Sequence, residues 1–502
     1  MTGGRPSRLL PSSTRGRLAL AAGVVLVILA GGALAAYLYE KHRTGNIYHP
    51  QAAFVPQPTP TLPATKGQDR FAWPLYGYTK NHTRFYPAAA SMRPPFRTVW
   101  THGGNALLEF PPVMFGNRIF QLGDDGVIHA IDKYTGIDLW SRRLGALSAS
   151  TPAVAGDTVY ATVLSRSPGA QAGRVVAMNT ITGHIRWSRN LPSRCESSPL
   201  LDKGRLYFGS QNGTVYALNA HNGHVVWTYH AAGAVKASPS LANGVLYFGD
   251  YSGELQAVRE SNGRRVWASG SGGALLGSGT FYSTPALMYG RVFLGNTDGR
   301  IYAYDASTGK LDWAVQTGAY VYASPAVTNA PGLGPTIYLG SYDGTFYALN
   351  ARSGHIDWQY HEGGRISGSA TIVGRIVYFA DLGTHRTVGL GISTGRPVFS
   401  KGTGSFDPVI TDGHYLYLTG NTGLYALAPK PAAPPQKAAS SVAASAAAGA
   451  AGAAAKVSHR TRRRARAHAR ARSAPRHARH RAPAHARRSI HRARRQHRRH
   501  QR

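Results

Sequence analysis

Asn212-Gly-Thr-Val-Tyr-Ala-Leu-Asn-Ala-His-Asn-Gly-His-Val-Val-Trp227 is the stretch whose reading decides the fold. Within it Ala217, Gly223 and Trp227 are separated by five and three residues, and the same spacing recurs at Ala130/Gly136/Trp140, Ala177/Gly183/Trp187, Ala257/Gly263/Trp267, Ala303/Gly309/Trp313 and Ala348/Gly354/Trp358. Successive tryptophans lie 47, 40, 40, 46 and 45 residues apart. A period of about 40–50 residues is that of a supersecondary unit that buries its apolar face only against its neighbours.

Each unit reads as four short strands. An inner strand opens at a Ser-Pro or Thr-Pro step, at Pro199, Pro239, Pro285 and Pro325, and an apolar run such as Leu206-Tyr-Phe-Gly209 follows. Asn212-Gly213, Asp298-Gly299 and Asp343-Gly344 supply tight hairpins, since glycine tolerates positive φ. The alternation of Thr214 to Asn219 marks the returning strand, and a second turn at Asn222-Gly223 delivers the outer strand that ends at Trp227. Small Ala and large Trp at fixed spacing are suited to packing between units, so Trp140, Trp187, Trp227, Trp267, Trp313 and Trp358 are assigned a structural docking role.

The spacing is that of the tryptophan-docking motif, and the unit resembles the pyrroloquinoline-quinone (PQQ) enzyme repeat. That repeat occurs in quinoprotein dehydrogenases and in the non-enzymatic lipoprotein of the outer-membrane β-barrel assembly machinery. Trp73-Pro-Leu-Tyr-Gly77 through Asn81-His-Thr-Arg-Phe-Tyr-Pro87 is similar to the lead-in that precedes the first blade in such proteins. The resemblance covers residues 67–429 and implies an all-β fold, an eight-bladed β-propeller; it is weakly specific for function. Counting units agrees. A seventh is degenerate, with Gly389, Gly395 and Phe399 at the motif positions, and an eighth begins near Asp407-Pro408 and stops after Leu427 without an outer strand. Phe96-Arg-Thr-Val-Trp100 stands 40 residues before Trp140 and is expected to supply that strand, closing the ring between the two ends of the domain.

The flanks differ in kind. Residues 18–39 form an uncharged stretch of 22 residues, enough to cross about 30 Å of hydrocarbon as a helix. Arg5, Arg8, Arg15 and Arg17 precede it, so residues 1–17 are expected in the cytoplasm and the propeller outside. The competing reading is a cleaved signal ending at Ala33-Leu-Ala35. Residues 40–66 are rich in Pro and polar residues over most of their length and read as a semi-rigid tether. At the other end, residues 430–502 run from an Ala/Pro stretch into an Arg/His-rich tail. Residues 456–502 hold one Lys, eighteen Arg, eight His and no acid, and carry 19 of the formal net charge of +35. Such a segment cannot bury a core and is expected to be disordered. It attracts polyanions; on an exported chain these are lipid head groups and anionic envelope polymers, not chromosomal nucleic acid, and no DNA- or RNA-binding motif accompanies it.

Chemistry-bearing motifs are sparse. Cys195 is the single cysteine, which excludes an intramolecular disulfide and reads as a small buried hydrophobe. By the resemblance, quinoprotein alcohol dehydrogenases would carry an adjacent Cys pair and a calcium site on Glu, Asn and Asp. The pair is absent here, so no cofactor is expected; PQQ and calcium belong only to a dehydrogenase reading. No zinc-spaced His/Cys set, nucleotide-binding loop or nucleophile elbow is present, and the glycines from Gly270 to Gly279 lack the strand-to-helix setting of a phosphate site. Aligning units on the inner-strand Pro brings Glu109, Ala149, Glu196, Lys236, Tyr282, Tyr322, Ser367 and Ser405 to the same position, near the axis. Within that ring Glu109, Glu196, Lys236, Tyr282 and Tyr322 form a candidate ligand funnel, the alternative being a hydrated, salt-bridged rim. The functional expectation is a monomeric, membrane-anchored scaffold propeller whose partners are envelope proteins or anionic envelope polymers. A PQQ-dependent dehydrogenase and a polymer tether acting through the tail are the other readings.

Overall fold

The computed structural model describes residues 21–34, 46–49, 53–59, 61, 71–271, 279–406 and 408–431. The tail from 432 onward, the basic residues 1–17 and the glycine-rich stretch 272–278 lie outside them.

Eight sheets, each built on four antiparallel strands, make the eight blades; Phe85–Tyr86 of the lead-in adds to the seventh in parallel. The third, typical of the set, runs Leu200–Asp202, Arg205–Gly209, Thr214–Asn219 and Val225–His230 from the axis outward. Its middle strands are buried on both faces because blades lie against it on both sides, so they read as near-continuous apolar runs. The outermost strand alternates, since only one of its faces meets a neighbour.

The repeated Ala and Trp are cross-strand partners. Ala217 pairs with Trp227 and the register slips by one immediately after Ala217; the same pairing and bulge occur at Ala130, Ala177, Ala257, Ala303, Ala348, Gly389 and Ala426. The bulge bends the chain into the Gly turn. That turn receives the indole of the preceding blade. A Cβ on Gly223, whose φ is +72°, would stand 2.6 Å from Trp187, so only glycine fits. Each docked indole then donates Nε1–H to the carbonyl three residues before that glycine, at 2.9–3.2 Å, from Trp100, Trp140, Trp187, Trp227, Trp267, Trp313 and Trp358.

The ring closes as the sequence predicts. Phe96–Gly103 pairs antiparallel with Gly423–Pro429, with Trp100 opposite Ala426, and becomes the outer strand of blade 8. The degenerate seventh unit has its reason here. Blade 8 has no turn joining its last two strands, because the chain ends of the domain meet there, so no Gly corner or carbonyl awaits an indole. Phe399 packs edge-on against Phe96 at 5.6 Å instead. Blades 8 and 1 are further tied by a buried ion pair, Lys133 to Asp412 at 3.4 Å.

One segment differs from its expected role, and another is described only in part. Ile47–Tyr48 adds a fifth strand to blade 5 opposite Trp313 and Ala314, Val55 N–H donates to the Tyr289 carbonyl, and Phe54 stacks on Tyr289 at 5.0 Å. Over these residues the linker is therefore part of the domain and not a free tether; the unpaired outer edge of blade 5 offers backbone partners that a solvated linker would otherwise take from water. The expected span 18–39 is described as a helix only over residues 21–34, 14 residues. Among the described residues no helix is long and apolar enough to cross a membrane.

Candidate functional site at the axial mouth

The inner strands carry hydroxyls just before their prolines, and these link the blades around the axis. Thr151 N–H donates to Ser198 Oγ, Ser238 N–H to Thr284 Oγ1, Thr284 N–H to Ser324 Oγ and Ser324 N–H to Ser369 Oγ, at 2.9–3.2 Å. The Ser-Pro step thus serves two ends: Pro starts the strand without a donor, and Ser satisfies a neighbour's backbone.

One end of this axial channel is filled by the lead-in. Its carbonyls accept N–H groups from the inner strands in succession, Pro74 from Val154, Lys80 from Leu241, Asn81 from Leu287, Thr83 from Val327 and Arg84 from Ile372. Tyr76 shares a hydrogen bond with Ser369 at 2.9 Å, and the buried Arg84 guanidinium lies 3.9 Å from the Tyr76 ring. His82 is held at 2.9 Å from Ser240 Oγ, and burial followed by the charge of Arg84 pushes its pKa well below the ordinary value.

The other end is the candidate site. Glu109, Glu196, Lys236, Tyr282, Tyr322 and Ser367 line one cavity with Tyr76 as part of its wall; Ala149 and Ser405 do not reach it. Ser405 instead bonds to Asn421 and His385. Lys236 Nζ lies 3.2 Å from Glu196 Oε2 and 4.7 Å from the Tyr251 ring, and Gln211 donates to the other Glu196 oxygen at 2.9 Å. Around this neutralised pair runs a chain of edge-packed phenols, Tyr251 to Tyr282 at 6.3 Å, Tyr282 to Tyr322 at 5.6 Å and Tyr322 to Tyr342 at 4.9 Å, with Tyr320 beside them and 53% exposed. Sequence alignment of the units missed Tyr251, Tyr320 and Tyr342, which stand on other loop positions; the run Tyr320-Val-Tyr322 was the available signal.

Desolvation raises Tyr322 to about 12, with Tyr342 and Tyr320 adding to it, and raises Tyr282 well above its ordinary value, with the charges of Glu196 and Glu109 adding. Protonated phenols are donors and flat amphipathic contacts, not nucleophiles. The cavity is about 50 Å³, against the several hundred of a small-molecule pocket. Of the two carboxylates among its lining residues, Glu196 is already neutralised by Lys236. Cys195 lies buried with Sγ 3.1 Å from the Gly209 carbonyl, and burial holds the thiol protonated up to about 12.

Eight blades, locked by indoles at seven of their junctions, around a plugged axis define a PQQ-like β-propeller. The profile of the family described as outer membrane protein assembly factor BamB matches residues 96–167, 124–274 and 252–401, and the chain belongs to that family. It is 30% identical over 122 residues to the outer membrane protein assembly factor BamB of Salmonella typhimurium (strain LT2), a match that takes in 21% of this chain and 29% of that relative's length. Among solved structures it is similar to BamB from Moraxella catarrhalis, with a TM-score of 0.55 and 18% identity over 66% of this chain and 99% of the other. It is also similar to the quinohemoprotein alcohol dehydrogenase from Comamonas testosteroni, with a TM-score of 0.60 and 14% identity over 72% and 81% of the two chains. At these identities the structural likeness shows the fold.

Proposed function

We propose that the protein is a non-catalytic scaffold of the cell envelope that holds other envelope proteins at the tyrosine-rich axial mouth, with residues 18–39 as its membrane anchor and the propeller on the extracytoplasmic side. The observation that carries this reading is the chemistry of the mouth: a charge-neutralised rim of rigid phenols around a cavity too small for a quinone. Tyrosines give large contact area at low conformational cost, which suits a protein surface. Family membership supports an assembly-factor role, and the uncharged length of 18–39 supports the anchor.

The test is a photo-cross-linking residue placed at Tyr320, with Ile181, an exposed position on a docking turn, as comparison, in the full-length protein in its own cells. Adducts to exported envelope proteins from position 320 and not from 181 are expected. Absence of adducts at 320 would sink the mouth as the binding surface. Chelator-sensitive dye reduction by the purified protein with PQQ, calcium and alcohols or sugars would instead promote the dehydrogenase reading.

A further inference from the structure

Where the strand borrowed from the N-terminal side meets blade 1, three metal-ligating side chains converge. His102 follows Trp100 on the closing strand, and His129 and Asp138 stand on the last two strands of blade 1. One ligand atom from each lies within 4.8 Å of the others. His129 Nδ1 is 3.1 Å from Asp138 Oδ2, and His102 Nε2 is 3.7 Å from Asp138 Oδ1.

The tautomer of His102 follows from its other nitrogen. Nδ1 is 3.1 Å from the Gly136 carbonyl, which only accepts, so Nδ1 carries the proton. Gly136 is the docking glycine pressed on Trp100, so the same turn that seats the indole orients the imidazole. A ring nitrogen fixed by a carbonyl leaves the opposite nitrogen aimed at a cation, the usual arrangement behind metal-binding histidines. At 3.7 Å, Nε2 is also too far from the carboxylate for a hydrogen bond.

The repeat supplies an internal comparison. The equivalent three positions at the next six blade junctions are Arg142/Val176/Ile185, Arg189/Tyr216/Val225, Tyr229/Gln256/Arg265, Ser269/Tyr302/Leu311, Val315/Tyr347/Ile356 and Tyr360/Val388/Pro397. Their spatial equivalence is visible where Arg189 and Ser269 donate to the carbonyls of Gly223 and Gly309, as His102 does to that of Gly136. None of those six sets contains a histidine or a carboxylate. The closure junction alone replaces packing and cationic residues by two imidazoles and a carboxylate.

We propose that His102, His129 and Asp138 bind a divalent transition metal of the zinc class, through His102 Nε2, His129 Nδ1 and a carboxylate oxygen, with a fourth position open to water. Around zinc with bonds of about 2.0–2.2 Å, tetrahedral ligand atoms stand roughly 3.3–3.6 Å apart; Asp138 Oδ1 lies 3.2 Å from His129 Nδ1 and 3.7 Å from His102 Nε2, and with the three ligand atoms within 4.8 Å of one another the imidazoles move toward each other when the ion binds. A ligating nitrogen must be free of its proton, so acid competes with the metal for all three side chains.

The histidines of the C-terminal tail also offer imidazoles, so the readout must report the folded site. Zinc bound there raises the melting temperature of the propeller, because the unfolded chain lacks the site. Zinc held by residues 456–502 contributes no such rise. Full-length protein is melted with zinc and with chelator, alongside His102→Gln, His129→Gln and Asp138→Asn. A rise of a few degrees in the parent, reversed by chelator and lost in each variant whose chelator melt matches the parent's, is the expected result; zinc anomalous scattering from crystals must then peak between the three side chains. No rise in the parent, or an equal rise in the variants, overturns the site. Either result leaves the scaffold reading at the axial mouth untouched.

Discussion

Replacing Asp412 by Asn tests whether blade 8 is locked to blade 1 by a desolvated charge. Asp412 Oδ1 accepts from the backbone of His414 and Tyr415 at 2.9 and 2.8 Å, and an amide oxygen keeps both bonds, so the turn survives. Oδ2 is the oxygen that faces Lys133 Nζ, at 3.4 Å, with side chains only 2% and 4% exposed. The substitution therefore leaves an ammonium buried without its counter-charge, at a cost of about 3–5 kcal/mol. Unfolding entropy of about 2.1 cal/mol/K per residue, over roughly 360 propeller residues, is about 0.75 kcal/mol/K. The expected fall in melting temperature is then about 4–7 °C. Calorimetry of the full chain measures it, and Lys133→Met added to Asp412→Asn is expected to recover most of the loss, since the orphaned charge goes with it. A single Asp412→Asn variant that melts within about 1 °C of the parent would refute the seam argument.

Three further outcomes follow from the same geometry. Phe399→Trp restores the motif letter but is expected to destabilise by about 1–3 kcal/mol through overpacking, because no acceptor corner follows in blade 8; a gain measured by calorimetry would contradict that. Tyr86, Tyr247 and Tyr322 hold their protons to about 12 in the folded protein, chiefly by burial, whereas the unfolded chain releases them near 10. Their contribution is thus complete below pH 10 and falls as pH rises toward 12; tyrosinate absorbance should lag until the circular dichroism is lost, and complete ionisation with a native spectrum would count against it. Removing residues 456–502 should abolish most salt-sensitive binding to anionic liposomes, since each released counterion adds to the salt slope, while the melt stays unchanged; retained salt-insensitive binding would move that role to the propeller.

The sequence by itself determined the repeat, the blade count and the ring closure, because those depend on local rules repeated along the chain. Trp sits a fixed distance from Gly because one bulge and one turn set their relation, and Phe96 to Trp100 was legible as a displaced strand for the same reason. Alignment on the inner-strand Pro also brought Glu109, Glu196, Lys236, Tyr282 and Tyr322 to one level, since a propeller converts equal sequence position into equal distance from the axis. Tertiary structure alone decided what crosses between units. It showed that Ala149 and Ser405 do not line the cavity, that Tyr320 and Tyr342 pack against Tyr322 beside it, and that the lead-in fills the axis. It laid Ile47–Tyr48 on blade 5, and it drew His102, His129 and Asp138 together from three strands in two blades. No spacing along the chain encodes those contacts, because each depends on which blade face lies opposite once the ring has closed.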